Sequence, residues 1–191
     1  MFSSATHKST GETVLGRVRS TGSNPYQREE ITLSARFVAL PTDVVSAYQG
    51  GHLDAYGLKP EIKVCDGAGY PCRHCLAHID IGDEYLVLAH RPFSSVQPYA
   101  ETGPIFLHAR PCDRYPESAQ PPPALLERPQ MIVRGYGMDE RIVYGTGGVV
   151  ETARIAEIAS RLFEEPAIAF VDVRSASNNC FFCRVERGTR G

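Results

Sequence analysis

Two Cys-x-x-Cys pairs, Cys72-Arg73-His74-Cys75 and Cys180-Phe181-Phe182-Cys183, are the residues whose type and spacing best suit chemistry. Zinc takes thiolates at about 2.3 Å and is tetrahedral with four protein ligands in structural sites. Cys72, Cys75, Cys180 and Cys183 supply such a set, and a metal between them would close the intervening segment into a loop. A second set needs nothing from the C-terminal pair: His108 and Cys112, in His108-Ala109-Arg110-Pro111-Cys112, join Cys72 and Cys75. Three of these ligands with a water would make a zinc site of catalytic type, although the chain has no His-Glu-x-x-His motif.

Strand periodicity limits the first set. If 180–186 is a regular strand, Cys180 and Cys183 are an odd number of residues apart and face opposite sides. The bulky Phe181-Phe182 between them favours strand over turn. Two metal-free readings therefore stand beside zinc. In one, Cys72 is a reactive thiolate, activated by positive charge from Arg73, His74 or Arg184. In the other, the cysteines pack as small buried hydrophobes.

A second constellation is polar: Tyr99, Glu101 and His108 with Arg134 and Arg174. A carboxylate beside an imidazole can serve as a general acid-base pair, and two guanidinium groups can grip a small anionic ligand bidentately. The bland alternative is a turn in which Glu101 caps backbone groups while the arginines pair with Asp172 or Glu186. Gly145-Thr146-Gly147-Gly148 lacks the lysine and hydroxyl of a phosphate-binding loop and the spacing of a dinucleotide fingerprint, so it reads as the approach to a helix.

The elements that must position these residues are short strands and turns. Strands are expected over 31–40, 84–90, 104–108, 167–174 and 180–186, the last two joined by the polar loop 175–179. Residues 131–136 and 141–144 flank Gly137-Met138-Asp139-Glu140 and suggest a hairpin. A short helix starts near Thr42, and Pro121-Pro122-Pro123 opens a helical turn. Ile155, Ile158, Ala159, Leu162 and Phe163 recur at helical spacing, predicting a long amphipathic helix over about 150–164 that stops before Pro166. The fold class is α+β: a mainly antiparallel sheet of short strands and hairpins with that helix packed on one face.

With 42% hydrophobic and 22% charged residues, the composition is that of an ordinary globular chain. Its 191 residues suit one domain, expected over 29–191 behind a polar extension, 1–28. A net charge of -2 provides no broad basic field and argues against nucleic acid as a partner. The first residues lack the apolar core of a secretory signal, and no apolar run approaches membrane-spanning length. The expectation is a soluble cytoplasmic protein without a membrane partner, whose cysteines are reduced.

Three strings carry a resemblance: Pro71-Cys72-Arg73 ahead of a Gly-Asp-Glu turn and a Leu-Val-Leu strand; Pro98-Tyr99-Ala100-Glu101-Thr102-Gly103-Pro104-Ile105-Phe106-Leu107-His108-Ala109; and Val173-Arg174-Ser175-Ala176 followed by Cys180-Phe181 and Arg184-Val185-Glu186-Arg187. Together they resemble the domain-of-unknown-function 1203 family over roughly 31–187. The resemblance implies no established activity, cofactor or catalytic residue. Many members look like Cys-Arg-Val-Ser at the first site and carry one cysteine at the second, whereas this chain doubles both.

Overall fold

The computed structural model describes residues 35–67 and 69–188; the boundary expected near residue 28 lies outside them. The strands are β1 (Ala35–Val38), β2 (Glu61–Val64), β3 (Glu84–His90), β4 (Gly103–His108), β5 (Gln130–Tyr136), β6 (Gly148–Glu151), β7 (Phe170–Ser175) and β8 (Phe181–Arg187). They form a five-stranded sheet in the order β1-β8-β7-β5-β6 and a three-stranded sheet in the order β2-β3-β4. Neighbouring strands are antiparallel throughout both sheets. The α+β class with mostly antiparallel pairing is therefore as expected.

Position in the sheet explains each strand's character. β7 lies in the middle of the larger sheet, and all six of its residues are buried, as a strand covered on both faces must be. β2 lies at an edge with every residue exposed, and Glu61 and Lys63 place charges there that discourage further strand pairing. One face of the larger sheet buries Val133, Val171, Val173 and Val185 against Ile155, Ala159 and Phe163. In the other alternation, Arg134, Asp172 and Arg184 stand in register across three strands.

The smaller sheet has its own apolar cluster of Leu86, Leu88, Ile105 and Leu107, closed by Val45 of α1 (Thr42–Gln49) and by Phe181 from β8. Phe181 thus ties the two sheets together. The turn after the proline run is α2 (Pro123–Leu126).

Two expectations are corrected. The amphipathic helix is short: a 3-10 turn, Thr152–Arg154, leads into α3 (Ile155–Leu162). Residues assigned to its start belong to β6, where Val149 and Val150 pair with Ile132 and Met131, since β-branched valines suit a pleated surface. That strand also replaces 141–144 as the partner of β5; Ile142 makes only an isolated bridge to Tyr136. No helix among the described residues is long and apolar enough to cross a membrane.

Candidate metal centre

The first Cys-x-x-Cys pair is a turn. The Leu76 amide donates to the Cys72 carbonyl at 3.0 Å, closing one helical turn, and residues three apart on such a turn share a face. Leu76 has a φ of 53°, a conformation costly for a branched side chain, and its complete burial holds it there. The turn is anchored to the smaller sheet by a bridge between Cys72 and Phe106 and by the Arg73 amide donating to the Phe106 carbonyl at 3.1 Å.

Two more groups reach the same place. His108 ends β4, opposite Tyr85 of β3, and the Ala109 amide donates to the Glu84 carbonyl at 3.0 Å. Gln49 of α1 then holds the loop, its amide nitrogen donating to the carbonyls of His108 at 3.0 Å and Arg110 at 2.9 Å. That loop delivers Cys112.

The ligand atoms of Cys72, Cys75, His108 and Cys112 all lie within 4.8 Å of one another. Cys72 Sγ is 3.9 Å from Cys112 Sγ, and Cys75 Sγ is 3.7 Å from His108 Nδ1. For zinc–sulfur bonds of about 2.3 Å, the edge of a tetrahedron is about 3.8 Å. These four groups can therefore hold a metal ion.

Their electrostatics fit that capacity. Hydrogen bonds from Cys112 and Cys75 hold the Cys72 thiol well below its ordinary range. The Cys72 and Cys75 sulfurs beside His108 push its imidazole up to about 10. Cys112, sharing the site with Cys72 and Cys75, is pushed up. Negative charge concentrated on sulfur beside a proton-holding imidazole is the environment a divalent cation would neutralise.

An outer layer orients the ligands. His74 places Nδ1 3.3 Å from Cys112 Sγ and Nε2 2.9 Å from the Thr42 hydroxyl. With the sulfur as acceptor, Nδ1 carries the proton and Thr42 donates to Nε2. The His74 amide approaches Cys72 Sγ at 3.5 Å. Groups in this position fix the orientation and basicity of metal ligands. His74 sits inside the Cys-x-x-Cys motif, but only the fold shows that it meets Cys112.

The second pair is placed elsewhere. Cys183 lies on β8 opposite Val173, fully buried in the cluster under α3, where burial pushes its thiol up. Cys180 precedes the strand, its Sγ 3.8 Å from Arg73 Nη2. Neither belongs to any potential metal-holding group among the described residues. Arg73 makes the connection instead: buried, it donates Nε to the Phe181 carbonyl at 2.7 Å and stacks on the Phe106 and Phe182 rings.

The polar constellation separates too. Glu101 Oε2 lies 2.5 Å from Arg134 Nη1 and 3.3 Å from Arg174 Nη1, and it accepts from the Tyr136 hydroxyl at 3.3 Å. Asn179 donates to the other carboxylate oxygen at 3.3 Å. Glu101 thus occupies the arginine grip that was expected for an external anion. Tyr99 faces Tyr144 and Arg141, and His108 is in the sulfur cluster. Asp172 pairs with Arg184 at 2.8 Å.

The fold and this cluster define an α+β domain with a potential metal centre of three cysteines and one histidine. The chain belongs to the family described as protein of unknown function (DUF1203), whose model matches residues 69–187. The match starts well after residue 31, the start that the resemblance suggested, but it includes all four clustered residues. Comparison with curated proteins and with solved structures gives no match.

Proposed function

We propose that this chain is a zinc-carrying domain in which Cys72, Cys75, His108 and Cys112 hold one zinc ion in a closed, structural site. The convergence of these four ligand atoms within 4.8 Å carries the reading. Three thiolates and an imidazole are a soft donor set suited to zinc. Four protein ligands leave no open coordination position for a substrate. The ion would join three pieces of backbone: the turn at 72–76, the end of β4, and the loop carrying Cys112. Complete burial of Cys72 argues against an attacking thiolate there. The reduced thiols that such a site requires accord with a cytoplasmic setting.

The test is native mass spectrometry of protein purified without chelator, compared with its denatured mass. The expected result is a single zinc-sized adduct, lost on denaturation and absent from Cys112→Ser. Metal-free protein with all thiols reduced would overturn the reading.

A further inference from the structure

Strand β2 forms an edge of the smaller sheet that no strand among the described residues pairs. Its backbone there is directed outward. Cys65, the residue after the strand, donates its amide to the Asp83 carbonyl and accepts from the Gly82 amide, both at 2.8 Å, so its two backbone groups face the β3 side. Backbone groups alternate along a strand, which turns Lys63 and Glu61 toward β3 as well and leaves the N–H and C=O of Ile62 and Val64 on the open side. The side chains alternate too. Ile62 stands opposite Leu86, and Leu86 opposite Leu107, both in the apolar cluster of this sheet. Ile62 and Val64 therefore continue the core face, yet at the edge they are 66% and 59% exposed.

Glu61 and Lys63, 3.1 Å apart on the opposite face, penalise an arbitrary strand at this edge. One strand answers them: a second copy of β2, laid antiparallel. A two-fold axis at Glu61 or at Lys63 would set like charges directly opposite, which destabilises a strand pair, and an axis at Val64 would set Ile62 beside Asp66. An axis at Ile62 sets Glu61 opposite the second copy's Lys63, and Lys63 opposite its Glu61. In that register the outward backbone groups of the two Ile62 residues exchange hydrogen bonds, and each Val64 amide meets the Pro60 carbonyl of the other chain. Pro60, with no N–H to donate, ends the ladder. The two Ile62 side chains meet on the core face and each Val64 lies beside a Pro60, which carries the apolar layer across the joint.

We propose that β2 is a self-association surface: two copies of this chain pair through it about Ile62, joining their three-stranded sheets into one continuous antiparallel sheet. A patch complementary to itself is what a two-fold dimer requires, and the alternating charges favour the chain's own copy over other strands. A single short strand from each side makes a small joint, so the dimer is weak and forms at high concentration. β4, which carries His108, lies at the other edge of the same sheet, so the surface is separate from the proposed zinc centre and does not depend on it.

Sedimentation equilibrium of the full-length protein, as purified, tests the assignment at concentrations up to about 500 µM, which reach the weak association expected of a small interface. Wild type is expected to form a dimer reversibly. Lys63→Glu sets like charges opposite each other at both ends of the joint and should raise the dissociation constant at least about tenfold. Its melting temperature should not change, because the side chain is exposed. Glu61→Lys should behave in the same way. The double variant Glu61→Lys, Lys63→Glu restores opposite charges in the same register and should recover the wild-type affinity, while an equimolar mixture of the two single variants should form a heterodimer. A wild type that stays monomeric, single charge reversals that leave the association unchanged, or a failure of both the double variant and the mixture to restore it would each overturn the proposal.

Discussion

The two Cys-x-x-Cys pairs share a spacing and almost nothing else. At 72–75 the chain makes a helical turn closed by the Leu76 amide, and both sulfurs join His108 and Cys112. At 180–183 it enters β8, so that Cys183 packs into the apolar cluster under α3 while Cys180 stays beside Arg73. The difference teaches that a ligand pair is made by the backbone between its cysteines. The Phe181-Phe182 dipeptide favours a strand and supplies apolar side chains to two clusters. Arg73-His74 sits in a turn and supplies one side chain to the other cysteine pair and one to Cys112. The same contrast extends to the sheets. The three-stranded sheet bears the potential metal site at the end of β4, whereas the five-stranded sheet relies on a broad apolar cluster and paired charges.

The largest effect should come from removing the proposed zinc ion. Zinc contributes roughly 10–16 kcal/mol to small peptides that have no core of their own; a domain with apolar clusters should lose part of that, on the order of several kcal/mol. Chelation or Cys112→Ser is expected to lower the melting temperature sharply. In hydrogen exchange, amides of β3 and β4 such as Leu86 and Leu107 should lose protection before Val133 and Val171 in the larger sheet. Uniform loss across both sheets would break the contrast between them.

A smaller effect should appear on the five-stranded side. Burial raises the Glu101 carboxyl, but the Arg134 hydrogen bond and the Arg174 charge outweigh it, so the group sits below its ordinary 4.5 in the fold. Its side chain is 30% exposed and that of Arg174 only 2%. Removing the carboxylate leaves a buried guanidinium short of its counter-charge, at a cost of about 2 kcal/mol once solvent screening is allowed for. Glu101→Gln should show that deficit in urea unfolding at pH 7 with zinc content intact. A folded pKa below the unfolded one stabilises at pH above the unfolded value, and the gain is lost as pH falls through the folded pKa. The gap between variant and wild type should therefore be full above about pH 4.5 and close below it. A gap that stays constant on acidification would mean the carboxylate charge is not the source.

The sequence carried the class of fold and, as one of two candidate sets, the residues that cluster as Cys72, Cys75, His108 and Cys112, because strand alternation, turn residues and cysteine spacing are local signals. The objection to Cys180 and Cys183 was also local, an odd offset along a regular strand; β8 does take up Phe181–Arg187, but Cys180 stands just before it and the pairing with β7 shifts register between Phe181 and Cys183. Other features depended on contacts across the fold. Cys112 joins Cys72 only because β4 and α1 position its loop. Glu101 could not be recognised as the internal partner of Arg134 and Arg174 from residues that lie 33 or more positions apart in sequence. The helix start was misplaced because Val150 and Glu151 can continue a helix as well as end an edge strand, and pairing with Met131 and Gln130 of β5 settles which applies.

The smallest effects test the second cysteine pair directly. Cys183→Ala removes a sulfur from a completely buried position between β8 and α3. The cavity is small, so the expected cost is about 1 kcal/mol. Cys180 is partly exposed, and Arg73 Nη2 approaches its sulfur at 3.8 Å. Serine keeps an acceptor there, so Cys180→Ser should change stability by no more than about 0.5 kcal/mol. Zinc stoichiometry, measured on both variants by native mass spectrometry, should equal that of wild type. This distinguishes packing from ligation, since a packing residue lowers stability while the ion stays bound and a ligand loses both together. Loss of the ion from either variant would return Cys180 and Cys183 to the metal set and require the C-terminal strand to rearrange around it.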